Sequence, residues 1–131
     1  MSIENNKAIV RRLWEEVWNE RCLDVCDEIF DSAYAEHEKA WAPNFLAVFP
    51  DLHFTIEDMI AERDKVVTRF ILTGTHQGEF LGVPATGKVV KLTGTWIHRL
   101  ADSRIVEGRE WGEFNALELL KQLGVTLPKH S

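Results

Sequence analysis

An α+β fold, with helices packed on one face of a curved antiparallel sheet, is what the sequence predicts. Two observations carry it. Before residue 51 the apolar residues recur at helical spacing, and after it their period falls to two. No repeat, low-complexity tract or linker breaks the 131 residues, so 1–131 reads as a single domain. The order is helices, then an antiparallel meander, then a helix.

The first helix is expected over about residues 3–20. Val10, Leu13, Trp14, Val17 and Trp18 form its apolar face, and Ser2 or Asn5 can cap its start. A second, shorter helix carries Cys22, Val25, Cys26, Ile29 and Phe30 on one side. A brief segment, 33–38, contains His37. Pro43 suits the first turn of a short helix through Phe45, Leu46 and Phe49, which Pro50-Asp51 stops. Strands are expected over 52–60, 66–76, 88–100 and 104 to about 114, with turns at Glu62-Arg63-Asp64 and Asp102-Ser103. A loop, 80–87, holds Gly82, Pro84 and Gly87. Ala116, Leu119, Leu120 and Leu123 mark a final helix closed by Gly124.

Composition bounds the function. Fifteen Lys+Arg against 21 Asp+Glu leave a net charge of −6, which argues against phosphate-backbone binding and against an anionic membrane surface. No stretch approaches the roughly 20 apolar residues of a membrane span. The start lacks a signal-peptide layout. Cys22 and Cys26, at i, i+4, do not form a CxxC motif, and a bridge within one helix would strain. A reduced, cytoplasmic protein is expected.

Gly82-Val83-Pro84-Ala85-Thr86-Gly87-Lys88 matches the spacing GxxxxGK. Position 89 is Val where a magnesium-binding hydroxyl belongs, and a strand follows instead of a helix, so a Gly/Pro loop is the better reading. The five histidines show neither HxxxH nor HxH spacing, and no metal site is expected. His53 and His130 read as surface residues. For His37 and His76, a hydrogen-bonded interior position and a pocket role both stay open.

His98 is more informative. Alternation puts Val90, Leu92, Gly94, Trp96, His98 and Leu100 on one strand face, apolar apart from the imidazole. Burial would shift its pKa towards the neutral form. On the fourth strand, alternation groups Ile105, Glu107, Arg109, Trp111 and Glu113. A His and a carboxylate across this hairpin can form an acid/base pair; a rim ion pair involving Arg109 is the alternative. Trp14 and Trp18 read as core. Trp41, Trp96 and Trp111, on a loop and two strands, either line a cavity for a flat apolar ligand or fill the core.

Phe49-Pro50-Asp51-Leu52, Gly74-Thr75-His76-Gln77-Gly78-Glu79-Phe80, Gly82-Val83-Pro84-Ala85-Thr86-Gly87, Arg104-Ile105-Val106-Glu107 and Leu119-Leu120-Lys121-Gln122-Leu123-Gly124 follow in order. This series resembles the SnoaL-like polyketide cyclases, or ester cyclases, of the nuclear-transport-factor-2-like superfamily. The resemblance covers about residues 7–124 and is densest from 49 onward.

The resemblance implies a cone-shaped (cystatin-like) α+β barrel, a curved antiparallel sheet wrapped by N-terminal helices, and a homodimer. It implies cofactor-free acid/base chemistry, aldol cyclisation or isomerisation, on a small hydrophobic carbonyl compound in a closed pocket. It implies no metal and no organic cofactor. His98 matches the family's strand His. Counting back from Gln122-Leu123-Gly124, the family's acid falls on Asn115; counting forward from Ile105-Val106-Glu107, it falls on Glu113. The expected catalytic set is therefore His98 with Glu113 or Asn115, and the expected substrate contacts are His37, Trp41, His76, Trp96, Arg109 and Trp111. The alternatives are a binding protein that does not turn its ligand over, and a dimeric scaffold of the same fold.

Overall fold

The computed structural model of the chain describes residues 2–110 and 116–124, apart from the side chains of Arg109, Glu110, Ala116, Leu117 and Leu120. Its elements run helices, four strands, helix. Helix α1 (Ile3–Arg12) starts where the Ser2 hydroxyl accepts from the Asn5 N–H at 2.9 Å. Asn6 is buried, and its Nδ2 donates to the Arg63 carbonyl, tying this helix to the first hairpin turn.

The expected single α-helix to residue 20 does not form. From Leu13 to Asn19 the backbone widens into a π-helix. Glu20 N–H donates to the Glu15 carbonyl, five residues back. The wider turn buries Leu13, Trp14, Val17 and Trp18 together, which places two indoles on one face. Arg21 then takes a positive φ and reverses the chain. A 3₁₀ turn (Leu23–Val25) leads into α2 (Cys26–Ile29), where one helix was expected.

Helix α3 (Ser32–Val48) corrects a second expectation. The short segment, the loop at Trp41 and the Pro43 helix are one continuous helix with Pro43 inside it. Asp31 caps it by accepting from the Tyr34 N–H at 2.8 Å. Pro43 removes one backbone donor and disfavours the helical region for Ala42. Burial of Ala35, Ala42, Phe45 and Val48 along one face holds the helix through that defect.

The sheet is a meander, β1 (His53–Glu62), β2 (Lys65–Thr75), β3 (Val89–Ala101) and β4 (Arg104–Glu110), in spatial order 1-2-3-4 and antiparallel throughout. The inner face carries Val66, Thr68, Phe70 and Leu72 from β2 and Val90, Leu92, His98 and Leu100 from β3, all buried. Helix α4 (Ala116–Gln122) follows, with Leu119 and Leu123 buried and Gly124 at φ +86° just past its end.

A register shift opposite Arg99 and Leu100 revises the reading of β4. Leu100 pairs with Ile105, but Arg99 pairs with Glu107, leaving Val106 as the extra residue of a bulge. Ile105 faces the core while Glu107 is exposed and meets Arg99 at 3.4 Å. Ile105 and Glu107 therefore do not share a face, and Gly108 takes the inward position opposite His98.

Candidate active site

The helical block and the inner sheet face do not close completely on each other. A cavity of about 420 Å³ remains between them, within the range of small-molecule sites. The π-helix contributes Trp14 and Trp18, and α3 contributes Tyr34, His37, Glu38, Trp41 and Phe45. The sheet contributes Phe54, Phe70, Trp96, His98 and Gly108, and the loop after β2 adds Phe80. The wall is a continuous aromatic shell. Trp14 packs 4.9 Å from both Phe54 and Phe70, and Trp18 lies 5.8 Å from Trp41. Trp41 is 46% exposed and His37 is also exposed, so α3 carries the rim where the cavity meets solvent.

His98 is buried in that wall. Its ring stacks on Trp96 at 6.0 Å and meets Trp14 edge-on at 5.9 Å. Burial pushes its pKa down to about 3, so the imidazole is neutral at any physiological pH. Its Nδ1 has no hydrogen-bond partner among the described residues, and neither do the indole nitrogens of Trp14 and Trp96. Buried polar atoms without partners are rare in folded proteins. Here three belong to residues that line one cavity.

Gly108 is what lets the polar groups come together. A Cβ built on it would lie 2.7 Å from the Tyr34 hydroxyl, 2.8 Å from Trp96 Nε1 and 2.6 Å from the His98 ring. Only a residue without a side chain lets the phenol, the indole N–H and the imidazole crowd against this strand.

Glu38 is the acid of the wall. Burial raises its pKa above the ordinary carboxylate range, while the charge of His37 and the indole N–H of Trp18 act to lower it. The Tyr34 phenol is pushed well above its ordinary value by burial, and by the charges of Glu38 and Asp31, so it stays a donor.

His37, Trp41, Trp96 and His98 are thus brought to one cavity. His76 is not. It is buried under the loop after β2, with Nδ1 3.0 Å from the Thr86 hydroxyl and its ring 5.9 Å from Phe49, and it pins that loop. Arg109 pairs with Ile97 in the β4 register, and its side chain lies outside the described part. Trp111, Glu113 and Asn115 also lie outside the described residues. No group of three or more His, Cys, Asp or Glu gathers to hold a metal among the described residues.

Sequence reasoning missed Tyr34, Glu38 and Gly108. The signal was present: Tyr34, Glu38, Trp41 and Phe45 are spaced i, i+4, i+7, i+11, one face of a helix. Breaking the helix before Pro43 hid it.

The model of the SnoaL-like polyketide cyclase family matches residues 8–123. The chain belongs to that family. Solved structures of the same nuclear-transport-factor-2-like architecture agree with the assignment. TsrD from Streptomyces laurentii superposes with a TM-score of 0.85 at 22% identity, covering 95% of this chain and 98% of that one. At that identity it speaks for the fold alone. A protein from Jannaschia sp. CCS1, provisionally called a SnoaL-like polyketide cyclase, gives 0.82 at 28% identity, covering 97% of each chain. AclR from Streptomyces galilaeus, provisionally called a hydroxylase, gives 0.76 at 28% identity over 94% of this chain and 98% of its own. No curated protein matches the chain in sequence. Among the described residues of this SnoaL-like chain, no helix is long and apolar enough to cross a membrane.

Proposed function

We propose that this SnoaL-like protein carries out acid/base chemistry, cyclisation or isomerisation, on a small hydrophobic carbonyl compound held in the aromatic cavity, without a cofactor. The observation that carries the reading is His98: buried, neutral, and with no partner for Nδ1 among the described residues, on the wall of a cavity of about 420 Å³. A neutral imidazole donates a hydrogen bond to a carbonyl oxygen without needing a charge, and so favours the enolate over the ketone. A carboxylate must take the proton from the neighbouring carbon. The family resemblance offers Glu113 for that role.

Asn115, where the count back from Gln122-Leu123-Gly124 puts the family's acid, favours a second reading, in which the same cavity binds a ligand without turning it over. Cys22, exposed, and Cys26, whose buried thiol is pushed up to about 11, are free, which suits a reducing cytoplasmic setting. Pairing into a homodimer belongs to the same proposal. Half-buried Val67, Ile71 and Ile97 on the outer face of the sheet support it.

The test is a thermal-shift screen of polycyclic ketones, aryl esters, lactones and small epoxides against wild type and His98→Ala. A ligand at a hundred times its Kd should add about 2.7 kcal/mol, visible as several degrees. Hits that vanish in His98→Ala place the ligand in this cavity, and turnover of a hit separates enzyme from binding protein. Hits that survive the substitution unchanged refute the assignment of the site.

A further inference from the structure

We propose that Glu38 is the group that moves the proton in this cavity, acting on a carbon next to a carbonyl whose oxygen is held by the Trp96 indole N–H and the Tyr34 hydroxyl beside Gly108. This rests on the acid/base reading above: Trp96 and Tyr34 join His98 around the oxygen beside Gly108, and the proton transfer goes to a carboxylate on α3 in place of Glu113.

Glu38 is the one carboxylate among the described lining residues. It stands four residues after Tyr34, so the two side chains share a helix face about 5–6 Å apart at their Cβ atoms. That is a suitable separation for a base at a carbon and a donor at the adjacent oxygen. Among the described residues Trp96 Nε1 is buried without a partner, and both it and the Tyr34 hydroxyl lie within 2.8 Å of the one point a Gly108 Cβ would fill. An indole N–H can only donate, so this end selects a ligand that presents an acceptor oxygen. The aromatic shell between the two ends selects a flat apolar body. Burial keeps Glu38 more basic than a surface carboxylate.

In the first step a Glu38 oxygen takes the proton. The C–H bonding pair becomes the enolate double bond, and the carbonyl π pair moves onto the oxygen held by Trp96 and Tyr34. In a cyclisation the enolate carbon then attacks a second carbonyl, and the new alkoxide takes the proton from Glu38. With a simple ketone in D₂O, the Glu38 proton exchanges with solvent and a deuteron returns to carbon, so a C–H becomes a C–D.

The probe is 2-tetralone in D₂O. Binding is followed by quenching of tryptophan fluorescence, and exchange at the carbons flanking the carbonyl by proton NMR. Wild type is expected to exchange the bound ketone above the buffer rate. Glu38→Gln should bind within about threefold and lose 100-fold or more of the exchange. Glu38→Asp should retain more rate than Glu38→Gln. Glu107→Gln, exposed on the far side of the sheet, should match wild type. The wild-type rate should rise with pH as Glu38 loses its proton. Tyr34 and His37 on α3, Cys26 on α2 and His98 on β3 are the other titratable groups around it among the described residues. Of these His98 and Tyr34 do not change charge near neutrality, and His37→Asn should keep the limb. Exchange in Glu38→Gln within threefold of wild type overturns the assignment of Glu38 and leaves the acid/base reading standing. No exchange by wild type at saturating ketone overturns the acid/base reading itself.

Discussion

At the residue scale, His98 ties stability to pH. In the unfolded chain it takes up a proton near its ordinary value of 6.5; in the folded protein it does so only near 3. Between those values the unfolded state binds more protons, so stability falls as the pH drops through that window. Over the full window the loss is on the order of a few kcal/mol. Glu38 has the opposite sign. Its pKa is raised from 4.5, so the folded state holds the proton longer and stability is lost as pH rises above that value. Urea unfolding of wild type and His98→Gln between pH 7 and pH 4.5 separates the two. Wild type should lose stability faster on acidification, and parallel curves would show that His98 carries no such linkage. Part of this was legible in the sequence: a lone His on an apolar strand face predicts burial. The company it keeps was not. Tyr34 and His98 are 64 positions apart, and only the missing side chain at Gly108 lets them meet.

At the element scale, the junction of helices and sheet depends on Asn19, the last residue of the π-helix. Its amide donates to the Phe54 carbonyl and accepts from the Phe54 N–H, both at 2.8 Å. The side chain thus pairs with β1 as a neighbouring strand would, and holds the Trp14–Trp18 face over the cavity. Asn19→Ala leaves two part-buried backbone groups without partners and should cost about 1–3 kcal/mol in a urea melt. A change below about 0.5 kcal/mol, the usual range for a surface substitution, would contradict this role. The existence of this helix follows from the spacing of Val10, Leu13, Trp14, Val17 and Trp18. Its π geometry does not, because the same spacing suits an α-helix, and only packing of two indoles against Phe54, Phe70 and Trp41 favours the wider turn. Pro43 misled in a similar way. Local preference ends a helix before a proline, but a row of buried side chains on both sides of it outweighs one lost hydrogen bond.

At the scale of the whole molecule, the helices cover one face of a four-stranded sheet and leave the other outside. That outer face mixes ion pairs, Glu57 with Arg69 at 3.6 Å and Arg99 with Glu107 at 3.4 Å, with half-buried Val67, Ile71 and Ile97. The proposed homodimer is read by sedimentation equilibrium at micromolar concentration, where a mass of two chains is expected. A single-chain mass would refute it. Charge substitution at Ile97 should shift the distribution towards the single chain while leaving the inner cavity intact.

The sequence by itself determined the fold class, the meander of strands, the inward face of β3 and the membership of a family, because periodicity and ordered motifs are local properties of the chain. The bulge that turns Glu107 outward and Gly108 inward, the union of two expected segments into α3, and the meeting of Glu38, Tyr34, Trp96 and His98 around one cavity were decided only by tertiary structure. The physical reason is the same in each case. Register, helix continuity and convergence depend on what packs opposite, and those partners lie far away along the chain.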